Sequence, residues 1–235
     1  MGMVLSEDFE HRSRLTAIGG MSGAVAGLAL LVVVALYPFV VPLQFEPAAN
    51  LLKSLPSSQS QTIFRFVFWA LAIIALLTIP TFLGLYHLLR IRHPGLSLSG
   101  TVIAIVSSAM YSVSLIIYAT TMPELAAAYA SVTDQDLLRA IEFQASAFDA
   151  LAIGIVAVAT LLFGLSLVLW SRAMSRELSR YGLPTLLVGI VAFVTVLSLV
   201  LGEIILLLIF LAFEGIWLVV IGVKMAILSQ PRAAI

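Results

Sequence analysis

The sequence predicts an all-α polytopic membrane protein, a bundle of six transmembrane helices with a small helical cap on its outer face. Three observations carry that expectation. Of 235 residues, 62% are hydrophobic and only 10% are charged, where a soluble domain carries about 25% charged residues. Mean hydropathy is +1.15, so lipid must be the solvent for much of the surface. The apolar residues also fall in long runs. A helix crossing about 30 Å of hydrocarbon needs about 20 of them. No series of short alternating strands occurs, which argues against a β-barrel.

Six runs meet the length requirement: 16–41, 64–86, 96–118, 151–170, 184–201 and 204–223. The chain reads as one integral membrane domain over 1–235. The first run follows a tail containing Glu7, Asp8 and Glu10. Those acids and the length of the run argue against a cleavable signal peptide. Between the first two runs, "QFEPAANLLKSLPSSQSQ" (44–61) holds a short helix bounded by Pro47 and Pro56. Pro80 lies inside the second run and should kink it. The third run extends or breaks at Pro123. "SVTDQDLL" (131–138) supplies N-cap residues ahead of an apolar pattern. The fourth helix is therefore expected from about 133 to about 170, its outer part beyond the bilayer. Pro184 is expected in the first turn of the fifth helix. Only Gly202 and Glu203 interrupt "VLSLVLGEIILLL" (196–208). The two runs flanking them exceed one membrane thickness about twofold, so a tight hairpin is expected there.

Orientation follows from the positive charges, which collect in short cytoplasmic loops. Six spans with the N-terminus inside place Arg12, Arg14, Arg90, Arg92, Arg172, Arg176, Arg180, Lys224 and Arg232 on the inner side. Only Lys53, Arg65 and Arg139 fall outside. A five-span chain would move Lys224 and Arg232 outside and weaken the bias. Both termini are thus expected in the cytoplasm, in a cell (inner) membrane. The outer segments are acidic, with Glu142 and Asp149 on one helical face at or beyond the interface, where a solvated rim is the expectation.

One acid is different. Glu214 sits in "LAFEGIWLVV" (211–220), midway along the last span. An ionisable group at that depth faces protein, not lipid, because exposing it to lipid is costly. It is either a proton, cation or ligand site, or a helix-to-helix hydrogen bond. A partner surface is visible on the third span, where Ser107, Tyr111, Ser114 and Tyr118 recur at helical spacing beside Ser108 and Ser112. The expectation is a buried polar site of Glu214, Ser107, Ser108, Tyr111, Ser114 and Trp217, with Glu214 bonded to Ser107, Ser108 or Tyr111. The alternative is that the serines serve packing or bond their own backbone. Gly19, Gly23 and Gly27 form overlapping GxxxG steps, read as internal helix packing ahead of a dimer seam.

Catalytic sets are lacking. Cysteine is absent. His11, His87 and His93 cannot face one another within the bundle, and no HExxH, GxSxG or phosphate-binding glycine loop occurs. No cofactor, metal site or nucleic-acid partner is expected. Expected partners are membrane lipids, other membrane proteins or a small ligand.

"LLFGLSLVLWSRAMSRELSRYGLPTLLVGIVAF" (161–193) followed by "FEGIWLVVIGVKM" (213–225) resembles a family of small bacterial six-helix membrane proteins, domain of unknown function 4386. The shared features are Phe163 and Gly164 before the basic loop, Pro184, and a closing pattern of Glu214, Trp217, Leu218 and Gly222. The resemblance implies architecture and no activity. On sequence alone an accessory or scaffold membrane protein binding lipids or proteins ranks first, because catalytic residues are lacking. A small transporter or ligand-binding bundle built on Glu214 and the serine-tyrosine stripe is the alternative. An intramembrane enzyme ranks last.

Overall fold

The computed structural model describes residues 2–40, 48–55, 57–174, 178–201 and 205–230. They form seven helices, with no strand among the described residues: α1 (Gly2–Val40), α2 (Ala48–Ser54), α3 (Ser58–Leu89), α4 (Pro94–Ser131), α5 (Gln135–Ala173), α6 (Ser179–Val200) and α7 (Ile205–Leu228). All but α2 contain a stretch long and apolar enough to cross a membrane. This is a multi-pass membrane protein. The hairpin at Gly202 and Glu203 lies outside the described residues, but α6 and α7 on either side are separate helices packed on each other.

Local chemistry accounts for most of the boundaries. Ser57 caps α3, accepting from the Ser60 amide at 3.2 Å while the Ser60 side chain accepts from the Ser57 amide. Asp134 caps α5 by accepting from the amides of Asp136 at 2.8 Å and Leu137 at 3.3 Å. That start lies close to the expected one, and α5 continues three residues past Trp170. Helix α4 does not break at Pro123 but runs through it to Ser131. Pro184 is not in a first turn either. Helix α6 begins at Ser179, within the polar stretch before the apolar run, and so carries Pro184 in its interior. Pro80 lies inside α3, and Ser22 of α1 donates to the neighbouring Leu77 carbonyl at 2.5 Å. Hydroxyl donors of this kind offset the backbone bonds that a proline loosens in lipid.

Each spanning helix packs on the next in the chain, and α7 closes the circle against α1, so the six form a ring. The cap helix α2 rests on α4 and α5. Lipid is as apolar as leucine, so association depends on close packing more than on water exclusion. The α1–α7 seam shows this. A Cβ on Gly27 would lie 2.6 Å from the Gly215 carbonyl oxygen, and one on Gly222 would lie 2.5 Å from the Ala24 nitrogen. A Cβ on Gly20 would likewise lie 2.6 Å from both the Gly222 carbonyl oxygen and the Ala226 nitrogen. Gly19 faces Pro80 and Gly84 of α3, and Gly23 faces Thr81. The three glycines of the GxxxG steps are thus all engaged within the chain. The opposite face of α1, with Ile18, Met21, Val25, Leu28 and Val32, is exposed and apolar, as a lipid-facing surface must be.

Two buried clusters stack along the ring. The first centres on Phe82, Phe163, Trp170, Phe210 and Trp217. The second lies under α2 and includes Leu52, Leu55, Phe64, Phe68, Ala119 and Met122. Residues of both line an internal cavity.

Candidate functional site

The hydroxyls of α4 fall at helical spacing, and in the ring they divide between two neighbours. Towards α5, the Ser107 hydroxyl donates to the Ala159 carbonyl at 2.8 Å, and that of Ser114 to the Ala152 carbonyl at 3.0 Å. The Tyr111 hydroxyl bonds the Thr160 hydroxyl. Towards α3, Ser108 and Thr78 pair through their hydroxyls at 2.9 Å, and Ser112 reaches the Ala72 carbonyl at 3.1 Å. Proton counting orients the shared pairs. Thr160 already donates to the Val156 carbonyl and Thr78 to the Ala75 carbonyl, so Tyr111 and Ser108 are the donors. Every hydroxyl proton of the stripe is therefore directed at α3, at α5 or along α4 itself.

Glu214 receives none of them. Its side chain is only 9% exposed, and its carboxyl makes no hydrogen bond or ion pair among the described residues. The expected bond to Ser107, Ser108 or Tyr111 is absent. The reason is the ring: α7 packs on α1 and α6, and α4 stands across the centre from it. Glu214, Ser107, Ser108, Tyr111 and Ser114 instead share the walls of one cavity of about 170 Å³.

Most of the lining is apolar, including Leu30, Leu71, Ile74, Val156 and Leu211. Beyond Phe163 at one end lies an aromatic cluster. Phe163 packs edge-on to Phe210 and Trp217, with centroids 6.3 and 6.2 Å apart. Trp217 stacks on Trp170 at 6.0 Å, their planes 8° apart. Trp217 does not line the cavity. Its indole donates to the Thr185 hydroxyl of α6 at 2.9 Å, so it braces α7 against α6 from the turn below Glu214. Gly100 leaves room for Trp170, since a Cβ there would lie 2.7 Å from the indole nitrogen.

The end of the cavity towards α2 is also aromatic. Phe68 stacks on Phe64 at 4.4 Å and on Tyr118 at 5.2 Å, and meets Tyr37 of α1 edge-on at 6.4 Å. The Tyr118 hydroxyl bonds the Asp149 carboxylate, and Asp149 lines the cavity. Asp149 was expected at a solvated rim and is instead half-buried. Sequence reasoning missed it, along with Tyr37. A signal existed, because Asp149 and Tyr118 lie nearly equidistant from the turn between α4 and α5. Glu142, seven residues earlier on the same helix, accepts from the Tyr129 hydroxyl at 2.9 Å.

The family model for domain of unknown function 4386 (DUF4386) matches residues 25–223. The chain belongs to this family. No curated protein and no solved structure matches it. The pattern that carried the resemblance to DUF4386 has a physical reading in the ring. Glu214 faces the cavity, Trp217 bonds α6, Leu218 is fully buried in the core, and Gly222 admits the α1 backbone. In this DUF4386 protein four residues of one helix thus meet four different surroundings. Among the described residues no group of three or more His, Asp or Glu side chains is arranged to hold a metal ion.

Proposed function

We propose that this protein is a ligand-binding bundle, taking a small, mostly apolar molecule into the centre of its ring with Glu214 as the polar anchor. The observation that carries the reading is an apolar cavity with a buried, unpartnered carboxyl in its wall. An acid at the centre of a membrane helix is disfavoured against leucine by about 3 kcal/mol. A scaffold gains nothing from that cost, and a leucine would serve it better. A binding site gains an anchor whose bonding capacity is free for the ligand. The cavity volume of about 170 Å³ compares with about 150 Å³ for an engineered cavity that binds benzene. The ligand is therefore the size of a small arene or short alkyl chain.

The accessory reading, first on sequence alone because catalytic residues are lacking, gives a carboxyl facing an apolar cavity no role. The proposal includes the inner-membrane location with both termini cytoplasmic. That orientation is supported by the bias of basic residues, and by the contacts of Gly19 and Gly20 with Met225 and Ala226 that keep the start of the first span beside the end of the last.

The test is calorimetry of 2-phenylethanol against the purified protein in nanodiscs, with empty nanodiscs subtracted. Saturable binding is expected, and Ala75→Phe, which fills the cavity from α3, should abolish it. Absence of saturable binding by both 2-phenylethanol and its amine analogue, or binding untouched by Ala75→Phe, would overturn the proposal.

A further inference from the structure

The charge and ring content of the cavity narrow the chemistry of its occupant. The wall contains two carboxylates, Glu214 and Asp149, and no lysine, arginine or histidine. Glu214 is buried without a partner. An anionic ligand would meet repulsion and no counter-charge. A neutral apolar one would leave Glu214 with nothing to bond. A cation carrying N–H donors satisfies it, because an ammonium offers three donors and a carboxylate has acceptor sites on both oxygens.

The aromatic end towards α2 points the same way. Tyr37, Phe68 and Tyr118 are clustered beside Asp149. Ring faces attract cations, more strongly where water is excluded. Tyr111, which shares the cavity wall with Glu214, and Tyr118, bonded to Asp149, are seven residues apart on α4. Those two tyrosines lie about 10 Å apart along α4 at about 1.5 Å per residue, and the cavity lined by both carboxylates extends past each of them. A cation entering from the end towards α2 meets first an acid flanked by rings and then an unpaired acid beside an aromatic cluster.

We infer that the ligand is a small lipophilic organic cation, an aryl- or alkylammonium, whose ammonium group pairs with Glu214 while its apolar part fills the space lined by Leu71, Ile74 and Val156. Asp149 and the rings beside it form the outer pole that receives the cation. This rests on the cavity being a ligand site, as proposed above.

Three near-isosteric probes separate the two claims: 2-phenylethylamine, 2-phenylethanol and phenylacetate, each titrated into the protein in nanodiscs. The amine should bind about tenfold or more tightly than the alcohol, as a charge-assisted bond predicts, and phenylacetate should not bind. Glu214→Gln should bring the amine down to the level of the alcohol. Equal affinities for amine and alcohol would overturn the cation assignment and leave the ligand site standing. Preferential binding of phenylacetate would overturn it as well. Binding of none of the three would overturn both. The comparison among probes on the unaltered protein decides the matter even if Glu214→Gln fails to fold.

Discussion

Replacing Glu214 with leucine should stabilise the fold and destroy binding. The carboxyl is buried and makes no bond among the described residues, so its removal breaks nothing. What it removes is the cost of holding an acid at mid-membrane depth. Insertion scales point the same way, since an acid at a helix centre is disfavoured against leucine by about 3 kcal/mol. The neighbouring hydroxyls do not enter the balance, because Ser107, Ser108 and Tyr111 already donate to α5 and α3. Glu214→Leu should therefore raise stability by up to about 3 kcal/mol, read as a higher midpoint in SDS-induced unfolding of the reconstituted protein. Ser107→Ala is the control in the other direction. It deletes the 2.8 Å bond to Ala159 and should cost about 0.6 kcal/mol, the average for such bonds in a membrane bundle. The same Glu214→Leu protein should lose its affinity for 2-phenylethylamine. A variant more stable but unable to bind is the signature of a residue kept for function. If Glu214→Leu lowers stability by about 1 kcal/mol or more, the carboxyl has a structural partner and the reasoning fails.

Three further outcomes are expected. Gly222→Val should lower the SDS midpoint by about 1–3 kcal/mol, because its Cβ would press on the Ala24 nitrogen and the Gly20 carbonyl, which are backbone and cannot swing aside; an unchanged midpoint would show that α1 and α7 are not in backbone contact. Trp217→Phe should cost about 1 kcal/mol through loss of the bond to Thr185 yet leave affinity for 2-phenylethylamine within about twofold, since Trp217 stands outside the cavity wall; a larger loss of affinity would place the indole in the site. Cysteines at Ser58 and Ser131 should react with a membrane-impermeant maleimide from the outside of intact cells, and reaction only from the cytoplasmic side would reverse the topology.

The spans were legible because lipid imposes length and composition on each helix separately. Six runs gave six helices, and the N-cap candidates in 131–138 put the start of α5 near 133, beside the observed cap at Asp134. Pro184 was misplaced because a helix need not begin where its apolar run begins, and α6 starts in the polar stretch at Ser179. For the site, sequence supplied depth and face. Glu214 had to point inward, and the hydroxyls of α4 had to share one side of their helix. What no single helix contains is its neighbours around the ring. Without the knowledge that α4 lies between α3 and α5 and opposite α7, matching depth suggested a bond between Glu214 and the serines. The same gap hid Asp149. Counting apolar residues put it at the margin, while the register of the α4–α5 hairpin brings it against Tyr118 and into the cavity wall.

A high-resolution experimental map of the protein in nanodiscs with saturating 2-phenylethylamine tests the central claim most directly. The account predicts ring-shaped density in the space between Ile74, Val156 and Leu211, with the amine nitrogen within hydrogen-bond distance of a Glu214 carboxyl oxygen. A dry centre closed by side chains, or Glu214 bonded to another residue of the chain with the amine excluded, would contradict it.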